Sequence, residues 1–205
     1  VLESNNSNMN VKTYFRQENI YSKGRKPIAE LMQEVSGEYV AFCEGDDYWR
    51  SNTKLYEQVS FLDLSPEYSI CFHDSDVIDQ YDNVVAQHRF NSEQRRDYSC
   101  KELCLARSFI PTQSIVFRKK CLFNIPNEYY KVVNEDTFIY ALCGLVGKAK
   151  YMRGLEKAAY RIHNQGIWSN ASMKVKHKNM AKTYFYISRY YLKNGYSFYF
   201  IVMLV

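Results

Sequence analysis

The chain has 205 residues, of which 46% are apolar, 24% charged and 16% aromatic, and its formal net charge is +5. This length and composition suit an ordinary globular domain with a hydrophobic core. The charge is too small to indicate nucleic-acid binding, so no nucleic-acid partner is expected.

Helical and extended segments alternate along the first half of the chain. The pattern predicts a strand over 10–16, a helix over 26–35 that Gly37 caps, a buried strand over 38–43, a helix over 52–66 and a strand over 68–73. The second helix places Leu55, Val59 and Leu62 on one stripe, which we expect to face the core.

The second half continues the alternation after a polar stretch. Residues 74–108 are polar and charged, and we expect "NSEQRRDYSCKE" (91–102) to be exposed and partly mobile. The following elements are a strand over 112–119, a helix over 135–147, short strands over 148–154 and 158–163, and helix from Met173 onward. This order predicts an α/β fold with a mostly parallel sheet flanked by helices.

The six cysteines contain no CxxC pair, and several sit in apolar runs. We interpret them as reduced core thiols of a cytoplasmic protein rather than as zinc ligands.

An acidic cluster, "EGDD" at 44–47, follows the predicted strand over 38–43. In α/β sheets, ligands bind beyond the carboxyl ends of the strands. Neighbouring carboxylates repel one another unless they share a cation, and Mg²⁺ or Mn²⁺ prefers such oxygen ligands. A solvated turn that caps the next helix through Asp47 or Ser51 is the alternative.

Several segments, in the same order, resemble motifs of glycosyltransferase family two, the nucleotide-diphospho-sugar transferases with the Rossmann-related GT-A fold. Residues 36–79 resemble the family's "GEYIA" strand, acidic DxD-like motif, "KL..Q..FL...P" helix and "CFH" strand. The other matches are "QENIYSKG", "TQSIVFRK", "NEDTF" and "YRIHNQGIWS". The resemblance runs from about residue 10 to 170, so we predict a transferase domain over 1–170 and a basic aromatic helical tail over 171–205.

The resemblance assigns the donor side of the site. It implies that Asp47 is a metal ligand and that Asp46 contacts the donor's ribose or the metal shell. Glu44 stands where many relatives have aspartate. Arg161 and His163, in "YRIH", match a segment near the donor's diphosphate, with His163 as a second metal residue.

The resemblance also implies a general base and a closing loop. Asp136, in "NEDTF", matches the base, and Glu135 beside it is the weaker candidate. An acid that only starts a helix is the alternative for Asp136. Trp168 falls in the loop that orders over the donor. A metal site at His73, Asp74 and Asp76 is disfavoured, because strand alternation directs His73 and Asp74 to opposite faces.

The expected activity is metal-dependent, inverting transfer of a sugar from a nucleotide-diphospho-sugar to a saccharide or lipid-linked acceptor in cell-surface polysaccharide or glycolipid synthesis. The family's first strands, ending in "P.YN" and in an acid, have no counterpart here, so we expect an N-terminally truncated domain. An inactive nucleotide- or sugar-binding remnant is the alternative.

The last segment of the chain is basic and aromatic. From Ala171 onward it carries six lysines and arginines and no acid. It is expected either to lie on the inner face of the plasma membrane or to pack against the transferase domain.

Overall fold

The computed structural model describes residues 11–15, 17–18, 24–163 and 171–204. The chain divides into two compact units, Val1–Val35 and Ser36–Val205. In the first unit, α1 spans Pro27–Leu31, with proline in its first turn. It is shorter than predicted, and Gly37 does not adopt the positive φ expected of a helix cap. Residues 11–15 form no strand, so the strand predicted over 10–16 is absent from its described part.

The second unit contains seven strands and five helices in the described residues. The strands are β1 (Tyr39–Ala41), β2 (Tyr68–Phe72), β3 (Ser75–Ile78), β4 (Val84–Ala86), β5 (Val116–Arg118), β6 (Lys148–Tyr151) and β7 (Ala158–Arg161). The helices are α2 (Lys54–Leu64), α3 (Cys100–Cys104), α4 (Glu135–Gly144), α5 (Met173–Lys193) and α6 (Ser197–Leu204).

The strands form two mixed sheets. One has the order β1-β5-β2-β6 and the other the order β4-β3-β7. The predicted α/β class is confirmed, but the sheets are not mostly parallel. Strand β5 lies between β1 and β2 and runs antiparallel to both, which leaves β2–β6 and β3–β7 as the parallel pairs.

Most of 91–102 is exposed, as predicted, but the polar stretch 74–108 is an ordered part of the fold rather than a mobile one. It supplies β3, β4 and α3. Tyr98 is 1% exposed and exchanges backbone hydrogen bonds with Ala149 of β6. Ser99 and Glu102 form a capping box at the start of α3. Partners distant in sequence therefore order a segment whose composition alone indicates a loop.

Helix α2 turns a polar face inward. Its buried residues are Lys54, Gln58 and Leu62, whereas Leu55 is 44% exposed, so the predicted apolar stripe was only partly right. The amide of Gln58 donates to the backbone carbonyls of Cys71 (3.3 Å) and Ser114 (3.0 Å). These bonds tie the helix to β2 and to the turn before β5.

The C-terminal helices pack within the second unit. Helix α5 buries Thr183, Ile187 and Tyr191, and the Tyr191 hydroxyl donates to the Cys104 carbonyl at 2.7 Å. The Tyr199 ring of α6 lies 5.4 Å from the Tyr191 ring. Within the described ranges, we find no helix that is both long enough and apolar enough to span a membrane.

All six cysteines, each of which the structure describes, are unpaired. Four of them are buried: Cys71, Cys104, Cys121 and Cys143. Cys43 is exposed because β1 ends two residues before it, so the prediction of a core thiol was wrong there.

Candidate active site

The acidic loop between β1 and α2 is held against β7. Tyr48 and Ala159 exchange two backbone hydrogen bonds, at 3.3 and 2.9 Å. Within the loop, the Asp47 N–H donates to the Glu44 carbonyl at 3.1 Å. The backbone N–H of Arg161, the last residue of β7, donates to Asp47 Oδ1 at 2.8 Å. The predicted carboxylates therefore lie together where β1 and β7 end.

Asp47 has one carboxylate oxygen without a protein partner. The residue is 9% exposed, and Oδ2 is buried without a hydrogen bond from any described residue. Burial raises the pKa of Asp47, and the hydrogen bond from the Arg161 backbone lowers it. Burying a carboxylate oxygen without a partner costs free energy, so we expect Asp47 Oδ2 to bind a cation or a proton.

Asp46 lies beside His163. Asp46 Oδ2 and His163 Nε2 are 2.9 Å apart, and both side chains are partly exposed. The structure thus brings together two residues that were predicted to lie near the metal, His163 of "YRIH" and Asp46 of "EGDD".

Arg161 joins the acidic loop to the hairpin of β3 and β4. Its guanidinium donates to the carbonyls of Asp46 and Asp79, each at 2.9 Å, and to Asp82 Oδ1 at 2.8 Å. The hydrogen bond with Asp82 is the main reason that the pKa of Arg161 is raised. These bonds use three of the five N–H groups of the guanidinium. A direct contact with the donor stays a prediction.

The acidic loop fits a hard divalent cation. No cluster of three His, Cys, Asp or Glu side chains suited to a metal occurs in the described residues. Mg²⁺, however, is usually held by one or two carboxylates, with substrate phosphates and waters as the other ligands. The unpaired Asp47 Oδ2 and the adjacent Asp46 match that requirement.

Asp136 opens α4 and lines a cavity of about 440 Å³ together with Glu44. Its Oδ1 accepts the Thr137 N–H at 2.7 Å. Burial raises the pKa of Asp136, whereas the hydrogen bonds from Thr137 and the charge of Arg89 lower it. Both the helix-start interpretation and a role in the cavity are therefore compatible with its position.

Glu135 has a different environment. It is 8% exposed and accepts a hydrogen bond from the Tyr129 hydroxyl at 2.6 Å. It is not among the residues that line the cavity in the described part of the chain. The structure thus separates the two neighbouring acids: Asp136 lines the cavity, whereas Glu135 is buried against Tyr129.

Glu44 lines the cavity, and the residue as a whole is exposed to solvent. Burial, followed by the charge of Asp47, raises its pKa from 4.5 to about 7. Glu44 therefore changes its charge near neutral pH unless a cation is present.

Sequence reasoning missed Arg89 and Lys54. The Arg89 guanidinium stacks on Tyr160, 3.4 Å from the ring centroid, at the cavity wall. Lys54 is 1% exposed, and its Nζ lies 4.2 Å from the centroid of the Trp49 ring. Burial lowers the pKa of Lys54 to about 8. No sequence motif singles out Arg89. Lys54 could have been found from its spacing, because it lies one helical turn before Gln58 and two turns before Leu62, the other buried residues of α2.

His73 has a backbone carbonyl as its hydrogen-bonding neighbour in the described part of the chain. Its Nδ1 lies 2.9 Å from the Asp74 carbonyl, and burial lowers its pKa to about 4. The Asp74 carboxylate instead contacts His88 and Arg95, at 2.5 and 3.2 Å. The predicted loop residue Trp168 lies outside the described residues, as does most of "QENIYSKG".

Comparisons with known proteins support the fold and give no established function. No protein-family profile matches the chain. Uncharacterized proteins of Mycobacterium tuberculosis and Mycobacterium bovis are 38% identical over 144 residues, which is 69% of this chain. The chain spans about 40% of the length of these curated relatives.

A solved structure shares the fold. The crystal structure of S. aureus TarS, residues 1–349, in complex with UDP-GlcNAc matches with a TM-score of 0.53 at 15% identity. The match covers 80% of this chain and 45% of the TarS chain. At this identity the likeness concerns the fold, and it confirms the α/β architecture predicted from the sequence.

Proposed function

We propose that this chain carries the metal-binding and acceptor-side residues of a glycosyltransferase. The reaction is transfer of a sugar from a nucleotide-diphospho-sugar to a hydroxyl acceptor, with Mn²⁺ or Mg²⁺. The observation that carries the proposal is the buried, unpaired Asp47 Oδ2 next to the Asp46–His163 contact. The fold shared with a protein crystallised with the nucleotide-sugar UDP-GlcNAc supports it.

The acidic loop provides the donor side of the mechanism. Asp47 and Asp46 would hold the divalent ion, which when bound would offset negative charge on the donor's diphosphate. The Arg161 backbone fixes the Asp47 carboxylate, and the Arg161 side chain fixes the loop through the Asp46 carbonyl. His163 adds a basic group beside Asp46. The donor's diphosphate therefore binds beyond the ends of β1 and β7.

Asp136 provides the acceptor side. The attacking hydroxyl must lose a proton as it bonds to the anomeric carbon, and a carboxylate in a partly dry cavity takes that proton. Asp136 and Glu44 both line the cavity, and burial raises the pKa of each; the match of "NEDTF" to the family's base motif selects Asp136. Direct attack from the face opposite the leaving diphosphate inverts the anomeric configuration, as the resemblance to family two implies.

The C-terminal helices support a cytoplasmic enzyme that works at the inner face of the plasma membrane, on polysaccharide or glycolipid. Helix α6 exposes Phe198 (57%), Ile201 (59%) and Leu204 (66%). The exposed Lys101 lies beside this surface, with its Nζ 5.3 Å from the centroid of the Phe198 ring. Apolar side chains near lysines are the surface that an anionic membrane attracts.

The proposed function is tested by nucleotide release. The chain is incubated with Mn²⁺ and a panel of UDP-sugars and GDP-sugars, with and without a mixture of saccharides, and free UDP or GDP is measured. Release that needs Mn²⁺ and rises with a saccharide supports the transferase. Tight nucleotide binding without any release supports the inactive remnant instead.

A further inference from the structure

The turn between β3 and β4, residues 79–83, is linked to the acidic loop through Arg161. The Arg161 guanidinium donates to the backbone carbonyl of Asp46 in the loop at 2.9 Å and to Asp82 Oδ1 in the turn at 2.8 Å. The backbone N–H of the same residue donates to Asp47 Oδ1. Arg161 therefore contacts both loop residues that are proposed to bind the cation, and the turn fixes its side chain.

The turn has hydrogen bonds of its own, which present Asp82 to Arg161. The Asp79 carboxylate accepts the backbone N–H groups of Tyr81 (2.8 Å) and Asn83 (2.9 Å), and the Asn83 side-chain amide at 3.0 Å. Asp82 has a φ of +68°, in the left-handed region that glycine, asparagine and aspartate adopt most readily. Asp79 thus stabilises the turn, whereas the Asp82 carboxylate points out of it and pairs with Arg161.

A second arginine supports the loop from its other end. Arg50 pairs with Asp76 of β3 at 2.5 Å. The guanidinium carbons of Arg50 and Arg161 lie 5.9 and 6.0 Å from the centroid of the Tyr48 ring, which follows the acidic loop directly. Because Arg50 keeps its own anchor on β3, loss of Asp82 should loosen the loop without detaching it.

The pair of Asp82 with Arg161 is expected to matter for the loop more than for the stability of the whole chain. The Asp82 side chain is 60% exposed, and exposed ion pairs contribute little to the free energy of unfolding. An arginine side chain, however, loses much rotamer freedom when it is fixed, so a partner that fixes it makes its other hydrogen bonds less costly to form. Residues that orient metal ligands without touching the ion typically change its affinity by about 10–100-fold when they are replaced.

We propose that Asp82 is a positioning residue for the acidic loop: through Arg161 it holds the Asp46 carbonyl and the Asp47 carboxylate in place. The consequence for the cation, that loss of Asp82 weakens its binding without unfolding the chain, rests on the proposed function. The proposal assigns a role to a residue outside the motifs that resemble the family.

The test is a titration of Mn²⁺ into the whole chain, followed by electron paramagnetic resonance of the free ion. Asp82→Gly removes the carboxylate and introduces a residue that readily adopts positive φ, so the turn should persist. It should bind Mn²⁺ about tenfold more weakly than wild type. Asp82→Asn keeps an oxygen acceptor and tolerates the same φ, so it should recover part of the affinity. The thermal midpoints of the three proteins should lie close together.

Amide hydrogen exchange of the metal-free chain measures the positioning directly. In Asp82→Gly, the hydrogen-bonded amides of Asp47 and Tyr48 should exchange faster than in wild type. The amides of Tyr98 and Ala149, which bond to each other's carbonyls at β6, should exchange as in wild type. A change confined to the acidic loop separates positioning from a general loosening of the fold.

The matched control is Asn83→Ala, in the same turn. This change removes the side-chain bond to Asp79 but leaves the Asp82 carboxylate, so Mn²⁺ should bind as it does to wild type. Asp82→Gly should cause little further loss in an Arg161→Met background, because the link is already absent. Losses that add in full, or an equal loss in Asn83→Ala, would show that Asp82 does not act through Arg161.

The outcomes separate this proposal from the proposed function. Faster loop exchange together with weaker Mn²⁺ binding in Asp82→Gly supports the positioning role. Unchanged loop exchange overturns it, whatever the Mn²⁺ affinities are, and equal Mn²⁺ affinities overturn its consequence for the cation. A wild type that binds no Mn²⁺ overturns the metal-dependent function, and the exchange of the loop amides still decides the positioning role.

Discussion

The backbone N–H of Arg161 donates to Asp47 Oδ1 at 2.8 Å and thereby joins residues 114 positions apart. This bond satisfies one carboxylate oxygen and fixes the direction of the other, Oδ2, which is buried without a partner among the described residues. The orientation of the proposed metal ligand therefore depends on β7 as well as on the acidic loop that contains it.

Replacing Asp136 by asparagine should abolish most of the turnover. Without the carboxylate, the attacking hydroxyl keeps its proton, and the loss of a general base costs typically 10²–10⁴-fold in kcat. Nucleotide affinity should be unchanged, since Asp136 lies on the cavity side. Turnover is measured as Mn²⁺-dependent release of UDP or GDP.

The control for that prediction is the neighbouring acid. Glu135→Gln keeps an oxygen that accepts the Tyr129 hydroxyl bond, so kcat should stay close to wild type. If Glu135→Gln loses as much turnover as Asp136→Asn, the assignment of the base to Asp136 is wrong.

The stability of the metal-free chain should depend on pH through Glu44. Its pKa in the folded chain is about 7, above the ordinary 4.5, so the folded chain holds this proton more tightly than the unfolded chain does. Stability is therefore lost as pH rises from 4.5 through about 7. Glu44→Gln removes this loss.

The measurement is the thermal midpoint of wild type and Glu44→Gln across this pH range. The two should agree at the acidic end, and the variant should be more stable at the basic end. Mn²⁺ should shrink the difference by stabilising the ionised wild type. If the difference in thermal midpoint between the two proteins stayed constant across this pH range without Mn²⁺, Glu44 would not titrate in this way.

Lys54→Met should stabilise the chain at neutral pH. The Lys54 Nζ is buried without a hydrogen-bond partner in the described residues, and an apolar side chain of similar length avoids burying that charge. We expect a gain of about 1–3 kcal/mol in the free energy of unfolding, measured by urea denaturation. The pKa of Lys54 in the folded chain is about 8, below the ordinary 10.5. As the pH rises from about 8 to 10.5, the wild type should therefore regain stability, and the difference in free energy of unfolding between the two proteins should narrow.

Lys101→Met is the matched control, because Lys101 Nζ also lies over an aromatic ring, 5.3 Å from the Phe198 centroid, but is exposed. It should change stability little. A Lys54→Met variant that is less stable than wild type at neutral pH would indicate that the buried ammonium has a partner that stabilises it.

The membrane proposal predicts binding to anionic vesicles. The chain should co-sediment with vesicles rich in phosphatidylglycerol, less with phosphatidylcholine alone, and less at high salt. Ile201→Glu, on the exposed face of α6, should weaken this binding. Leu64→Glu, at an exposed leucine of α2 (85%), should not, and equal loss in both variants would contradict a specific role for α6.

The sequence was most informative about the location of the acidic residues. That Asp46 and Asp47 follow a strand and that Asp136 lies at a helix start could be predicted, whereas their functional roles stay predictions. The place of Arg89 could not be predicted, since only the β3–β4 hairpin brings it onto Tyr160 at the cavity.

The direction of the strands was also beyond the sequence pattern. Alternation of helices and strands favours a parallel sheet, but β5 pairs antiparallel with strands that are distant in sequence. In α2, Lys54 and Gln58 are buried because each has a partner in the interior. The Lys54 ammonium lies over the Trp49 ring, and the Gln58 amide donates to the backbone carbonyls of Cys71 and Ser114. Such tertiary partners override the apolar stripe that hydrophobic periodicity predicts.

Calorimetric titration of UDP and of GDP into the chain, with and without Mn²⁺, for wild type and Asp47→Asn, tests whether the acidic loop binds a nucleotide through a divalent cation. Asparagine keeps an oxygen for the Arg161 N–H but loses the negative charge of the carboxylate. We expect one nucleotide to bind wild type only with Mn²⁺, and we expect Asp47→Asn to abolish this binding while the thermal midpoint is retained. Nucleotide binding that is equal in both proteins, or that needs no Mn²⁺, would contradict this expectation.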